Sequence, residues 1–347
     1  MKNKKMQFNS KNIMKTVECS GSPRAMGRQY GEESREEILF EIEHLGKTFQ
    51  RPGLEFWYNR AERLLASSLP ELREELHGIA EGAGTDHRLL LAMNFVDTFD
   101  NRTDRCTPLL LHDSPEGMIV AKNNDAGANE KCQFVTLIRR PDHGIPTVTV
   151  TYAGWLSGLD SMNSEGLANT HGSVGSKFDR SGDRVDIRLV VMHAMQSCRT
   201  ASDFYEKLQS FPLTGKGFSI AVGDRTGHSF FLDAAVPKLV KRSENVPFSW
   251  SANLYYAPEV EFADMRAPDY RPFCMERSQY IAKQEAPHDL AGIKRLLSDH
   301  SCCHAPCRHG GEAHSLTKWS MIALPEKGEI LLADGLPCET PYETIEI

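Results

Sequence analysis

Apolar positions recur at helical spacing through the first third of the chain and then give way to short apolar runs separated by turn residues. Residues 24–48 and 54–80 carry apolar side chains every three or four positions among many Glu and Arg, and 86–95 open on Asp86, an N-cap residue type; three helical stretches are expected there. Beyond the polar run Asp100–Arg105 the period changes. Cys106–Leu111 and Gly117–Asp125 read as two strands joined by the turn Asp113–Gly117. Further strands are expected over Phe134–Arg139, Thr147–Tyr152, Ser219–Gly223, Ser229–Leu232, Phe248–Asn253, Trp319–Leu324 and Glu329–Ala333. The turns Gly223–Gly227 and Pro325–Gly328 pair several of them as antiparallel hairpins. Residues 183–209 and 275–299 read as helices. Helices grouped among antiparallel strands point to a layered α+β fold rather than a parallel βαβ series. There is no internal repeat, no low-complexity tract and no linker long enough to separate independent domains.

Bulk composition narrows the function classes. The 347 residues, 40% hydrophobic and 25% charged, suffice to bury a large core. A formal net charge of -7 lacks the basic stripe of a nucleic-acid binder. No apolar run of about 18 residues suggests a membrane span, and no apolar segment follows the basic start Met1–Lys5, so a cytoplasmic location without a signal peptide is expected. Nine cysteines, an odd number, are expected to be reduced thiols rather than a disulfide framework. Cys132 and Cys198 read as small core hydrophobes.

Cys106 differs from them in its position. A cysteine at the head of a strand, directly behind a polar linker, becomes a new N-terminus if the Arg105–Cys106 bond is cut. It then carries both a thiol, with an ordinary pKa of about 8.5, and an α-amine, at about 7.7–8.0, so one residue supplies nucleophile and base.

Five stretches together resemble a known family. They are Gly21–Gly31 (GSPRAMGRQYG), Asp104–Thr107 (DRCT), Asn123–Asp125 (NND), Gly154–Ala168 (GWLSGLDSMNSEGLA) and Ser251–Asn253 (SAN). In order and spacing the chain resembles the acyl-coenzyme A:6-aminopenicillanic acid acyltransferase-like group of N-terminal nucleophile hydrolases, also described as C45-type self-processing peptidases. The resemblance implies a four-layer αββα sandwich in which 1–105 form a helical segment, released or retained after self-cleavage, and 106–347 the catalytic core. It implies Cys106 as nucleophile, Asp125 as the catalytic-site aspartate and Asn253 as an oxyanion donor. The chain departs from the common Thr-Asn-His pattern in reading Ala252-Asn253-Leu254. The expected partners are a small acyl-amide or acyl-CoA substrate and the chain's own N-terminal fragment, with no nucleic acid, membrane or cofactor; an oligomer is left open. Asn124, Gly154, Trp155 and His171 are expected at the substrate cleft, with Asn169 near it. His314, three residues before Thr317 where the acyltransferase has an arginine, is a further substrate-side candidate.

Two rival readings use other residues. Cys106 activated by His112 or His171 would give an uncleaved cysteine amidohydrolase. The segment Cys302–His314, with three Cys and three His, would give a zinc-organised binding protein. It contains no Cys-x-x-Cys pair and its Cys302 and Cys303 are adjacent, so no metal is assigned from the spacing.

Overall fold

The computed structural model describes residues 14–44, 54–95, 106–128, 131–178, 182–265, 268–311 and 315–347. Two sheets carry the architecture. The larger has the order β1 (Lys15–Gly21), β4 (Phe134–Pro141), β5 (Thr147–Tyr152), β6 (Ser161–Asn163), β7 (Leu167–Ser173), β10 (Phe218–Asp224), β11 (Ser229–Ala235) and β12 (Lys238–Arg242). The smaller has the order β13 (Phe248–Trp250), β2 (Thr107–Leu111), β3 (Ile119–Ala126), β14 (Leu316–Leu324), β15 (Glu329–Ala333) and β16 (Glu343–Glu346). All pairs within these sheets are antiparallel except β1 with β4. A two-residue parallel pair, β8 (Val185–Asp186) with β9 (Leu213–Thr214), lies apart.

The layers follow from which face each strand buries. Val120, Met321 and Ile330 of the smaller sheet pack on Val148, Val150 and Phe231 of the larger, forming an inter-sheet core. Ile119, Ala121 and Ile322 point the other way, onto α8 (Arg271–Lys283) and α9 (Leu290–Ser298) through Ile281, Ile293 and Leu297. The outer face of the larger sheet is covered by α1 (Pro23–Glu33), α2 (Arg35–His44), α3 (Leu54–Ser68), α4 (Pro70–Ala83), α5 (His87–Asn94), α6 (Ile187–Ser197) and α7 (Ala201–Gln209), which share one continuous core with it. Helix, sheet, sheet and helix are thus the four layers of an αββα sandwich, and strands covered on both faces, such as β3, β10 and β11, are buried throughout.

Several boundaries differ from the sequence expectation. The helical first third begins with a strand, β1, which extends the larger sheet beside β4. The stretch 24–48 breaks at Ser34, which leaves the helical conformation (φ -106, ψ 24) while its N–H still bonds Tyr30 O. The stretch 183–209 breaks at Cys198–Thr200, where the Thr200 side chain caps α7 by accepting from Asp203 N. The strand expected over Phe248–Asn253 ends at Trp250, and Asn253 beyond it adopts a left-handed φ of 61°. All nine cysteines are free; Cys198 is buried, whereas Cys132 is only half-buried. Among the described residues no helix is long and apolar enough to cross a membrane.

The N-terminal block is held to the sheet by packing and by buried polar bonds. Gly27 and Gly31 of α1 face Gly78 and Gly82 of α4, and a Cβ at Gly27, Gly31, Gly78 or Gly82 would lie less than 3.0 Å from backbone atoms of the facing helix. Four glycines therefore let two backbones touch. Below them, Glu75 of α4 forms a bidentate pair with Arg139 of β4, both buried, with Arg139 Nε 2.8 Å from Glu75 Oε1. Tyr30 Oη accepts from Gly154 N at 2.6 Å, and Asn94 both donates to Gly154 O (3.1 Å) and accepts from Leu156 N (2.7 Å).

The crossing is testable by adding one methyl group. Gly27→Ala is expected to lower the free energy of unfolding by about 3 kcal/mol, because backbone on the opposite helix cannot yield as a side chain can. Gly328→Ala, where φ is 69° and nothing lies within 4 Å, is expected to cost only about 1 kcal/mol. Denaturant unfolding of both variants measures the difference, and equal losses would show that the close approach does not matter.

Candidate active site

Cys106 stands immediately before β2 and is fully buried. The register Thr107↔Asn123 sets β2 against β3, and Cys106 Sγ donates to Asn124 Oδ1 at 3.4 Å. Alternation along β3 then assigns the faces. Lys122 and Asn124 turn toward the larger sheet. Asn123 turns toward the helices, donating to Leu297 O (2.8 Å) and Pro306 O (3.0 Å), and Asp125 lies on that same side.

Asp125 is enclosed by groups from three other elements. Its Oδ1 accepts from Thr317 Oγ1 of β14 at 2.7 Å, and Thr317 Oγ1 in turn accepts from Arg308 N at 2.9 Å. Arg277 Nη1 of α8 lies 3.9 Å from Asp125 Oδ2, an oxygen that has no hydrogen-bond partner. Burial pushes the Asp125 carboxyl up to about 6, against the opposing pull of the Arg308 and Arg277 charges and the Thr317 hydrogen bond. Two buried guanidiniums beside one carboxyl leave this side of β3 electropositive, which favours developing negative charge nearby.

Asn253 reaches the same place from the loop after β13. Its Oδ1 accepts from Arg277 Nη2 at 2.5 Å and its Nδ2 donates to Ser173 O at 2.9 Å. Its left-handed backbone, φ 61°, accompanies the placing of this side chain between α8 and β7.

On the other face of β3 lies a small, open-mouthed cleft with Asn124 on its wall. Phe134, Tyr152, Trp155 and Trp319 line it with aromatic surface, and Asp160, His171 and Arg188 supply polar groups. Lys122 Nζ, fully buried, donates to Asp160 Oδ2 at 2.6 Å; His171 Nδ1 is 3.1 Å from Asp160 Oδ1 and 3.4 Å from Lys122 Nζ. Burial raises the Asp160 carboxyl, but the charges and hydrogen bonds of His171 and Lys122 outweigh it and leave the group below its ordinary value. Arg188, held by Asp186 Oδ1 (3.1 Å) and Asn94 O (2.5 Å), stacks its guanidinium 4.5 Å from the Trp155 ring centroid.

Of the residues singled out in the sequence, Cys106 and Asn124 meet directly, while Asp125 and Asn253 meet through Arg277. Trp155 and His171 line the pocket. Gly154 is not on the pocket wall: its φ of 81° and its bonds to Tyr30 and Asn94 anchor the N-terminal helices, and a Cβ there would strike Met93. Asn169 is buried and bonds Gly158 O and Ser161 Oγ. Arg105 and His314 lie outside the described residues. His112 sits at the far end of β2, six residues or about 20 Å of extended chain from Cys106, with Nδ1 3.0 Å from Ser229 Oγ. Sequence reasoning missed Lys122, Asp160, Arg277, Arg308 and Thr317. Lys122 carries a signal, a charge directly after the apolar residues Ile119–Ala121 and two positions from Asn124.

The model of the family described as acyl-coenzyme A:6-aminopenicillanic acid acyl-transferase matches residues 113–333. No curated protein sequence matches the chain. Among solved structures, penicillin V acylase from Agrobacterium tumefaciens is similar at 12% identity and a TM-score of 0.40, covering 70% of this chain and 86% of that one. A mutant of the conjugated bile acid hydrolase from Clostridium perfringens is similar at 12% identity and a TM-score of 0.37, covering 70% and 97%. With Asn124, Asp125, Asn253, Arg277 and Arg308 all inside a family match that spans more than half of its length, the chain belongs to the acyl-coenzyme A:6-aminopenicillanic acid acyl-transferase family.

Proposed function

We propose that the chain is a self-processing cysteine enzyme of the N-terminal nucleophile type, which cuts itself between Arg105 and Cys106 and then cleaves or transfers an acyl group. The observation that carries this reading is the buried Cys106 thiol at the head of β2, donating to Asn124 on the face of β3 opposite the Asp125, Arg277 and Arg308 cluster. In the first step the Cys106 thiolate attacks the Arg105 carbonyl carbon. The C–N bond breaks as the leaving nitrogen takes a proton, and the Arg105 acyl group rests on sulfur as a thioester above a free α-amine. Water then hydrolyses the thioester, leaving a carboxylate on Arg105 and a thiol on Cys106.

In turnover the α-amine takes the thiol proton as sulfur attacks the substrate carbonyl. The unpartnered Asp125 Oδ2 is suited to accept from the α-ammonium that results. Asn253 is the oxyanion donor in this reading, its amide held in place by Ser173 O and Arg277. Asn124 Nδ2, buried and without a hydrogen-bond partner, is a further donor directed at bound substrate. The leaving group departs with the amine's proton, and water or an amine resolves the acyl-enzyme. The aromatic pocket with its polar Asp160, His171 and Arg188 suits an apolar acyl group of an amide or thioester that carries a polar tip.

The N-terminal fragment is proposed to stay bound after the cut. It supplies β1 to the larger sheet and the Glu75 partner of Arg139. Removing it would leave that guanidinium buried without its carboxylate.

Intact mass and N-terminal sequencing of freshly purified protein are expected to give two fragments, one starting at Cys106. Cys106→Ala is expected to give one full-length chain without activity, and a processed band in that variant would overturn the mechanism. The two fragments are expected to co-elute in native size exclusion and to separate only in denaturant; elution of 106–347 alone would refute retention. Asp125 gives a pH signature. Its folded pKa stands above the ordinary 3.8, at about 6, so the folded state binds the proton more tightly and loses stability as pH rises between those values. The loss is roughly 2–3 kcal/mol at 1.36 kcal/mol per unit. In a Cys106→Ala background, Asp125→Asn should therefore gain that much relative to its parent between pH 4 and pH 7, measured by urea unfolding. A difference independent of pH would place the carboxyl at its ordinary value.

A further inference from the structure

The loop after α9 turns back beside the segment between β15 and β16 and brings four metal-ligand side chains together. The ligand atoms of His300, His309 and Cys338 all lie within 4.8 Å of one another. Cys307 adjoins two of the three from the buried side, with Sγ 3.6 Å from Cys338 Sγ and 3.7 Å from His309 Nε2, while His309 Nε2 is 3.2 Å from Cys338 Sγ. We propose that His300, Cys307, His309 and Cys338 form a structural zinc site that clamps the loop carrying Arg308.

Tetrahedral geometry sets the test of fit. With Zn–S near 2.3 Å and Zn–N near 2.0–2.1 Å, ligand atoms stand about 3.8 Å apart for two sulfurs and about 3.5 Å apart for sulfur and nitrogen. The three sulfur edges, at 3.6, 3.7 and 3.2 Å, are close to those lengths. His300 is oriented as zinc-bound histidines are, since its Nδ1 is 2.9 Å from Ser298 O; that bond fixes the tautomer and leaves Nε2 as the lone-pair nitrogen. The His300 and His309 rings face each other at 4.9 Å between centroids. Two thiols release their protons to solvent as Zn²⁺ binds, so two thiolates and two neutral imidazoles make an electrically neutral, closed set of four, the form of a structural rather than a catalytic site.

Arg308 lies between two of the four ligands. Its N–H bonds Thr317 Oγ1, its carbonyl accepts from Thr317 N at 2.9 Å, and its guanidinium is one of the charges acting on Asp125. Fixing Cys307 and His309 to Cys338 and His300 therefore fixes the backbone from which that charge projects. Sequence spacing could not reveal the set because it uses neither Cys302 nor Cys303 and draws Cys338 from 31 positions beyond Cys307. The inference stands whether or not Cys106 is the nucleophile.

The experiment is metal analysis of the full chain, purified with reductant and without chelator, then cobalt replacement followed by absorption spectroscopy. About one zinc per chain and a thiolate-to-cobalt charge-transfer band with tetrahedral d–d intensity are expected. Cys338→Ser should abolish both, and Cys302→Ser should change neither. Chelation should speed hydrogen exchange at the Arg308 and Thr317 amides. Absence of zinc together with failure to take up cobalt in the wild-type chain would overturn the site. So would metal retained in Cys338→Ser, metal lost in Cys302→Ser, or a Cys307–Cys338 disulfide found by mass spectrometry under the same reducing conditions. The wild-type and Cys302→Ser measurements decide the matter even where Cys338→Ser does not fold.

Discussion

The pairing of β2 with β3 is the constraint on which the rest of the molecule depends. Its register puts Cys106 beside Asn124 and alternates the polar run of β3 between two unlike environments. One face sends Lys122 and Asn124 into the gap between the sheets. The other sends Asn123 and Asp125 to the helices, where α9, α8 and the Arg308 loop receive them. A slip of one residue would exchange the two sets, moving Asp125 away from Arg277 and Lys122 away from Asp160. The apolar residues of the same strand, Ile119, Val120 and Ala121, hold the register, because they too divide between two cores.

Charge is arranged around that strand so that each buried ion meets a partner on another element. Lys122 answers Asp160 and His171 across the inter-sheet gap, and Asp125 faces cations from α8 and from the Arg308 loop. Such pairs contribute little net stability against their desolvation, but removing one member leaves the other stranded. The left-handed backbone at Asp160 and Asn253 belongs to the same pattern. Both side chains are delivered by conformations uncommon away from glycine, and both are held by a buried cation, Lys122 or Arg277.

Much of this was legible because local signals and the fold agreed. The strands at Thr147–Tyr152 and Glu329–Ala333 match their apolar runs and turns, and the helices of the first third follow their periodic faces. Cys106 stands at a strand head, as its place before the run Thr107–Leu111 indicates, and Asn124, Asp125 and Asn253 come from short motifs whose side chains the fold gathers around β3. What was hidden depends on distant parts of the chain. β1 is a strand only because β4 offers it an edge, and Arg277 and Arg308 are ordinary helix and loop cations until β3 is set between them. Gly154 likewise answers to a distant contact: its conformation serves the bonds with Tyr30 and Asn94, not the cleft one residue away. Its neighbour Trp155 faces the opposite requirement and lines the cavity.

The parallel strand β1 has a consequence for how such a protein can be made. It occupies the outer edge of the larger sheet and covers the amide and carbonyl row of β4, a strand whose centre, Val135–Ile138, is apolar and buried. A chain started at Cys106 would present that row bare, as a flat, sticky template for the next molecule. A single chain folds with that edge already occupied, whereas separate synthesis of 1–105 and 106–347 would make each piece depend on meeting the other before meeting its own kind. Continuity of the chain through β1 thus guards the sheet against its own copies while it forms.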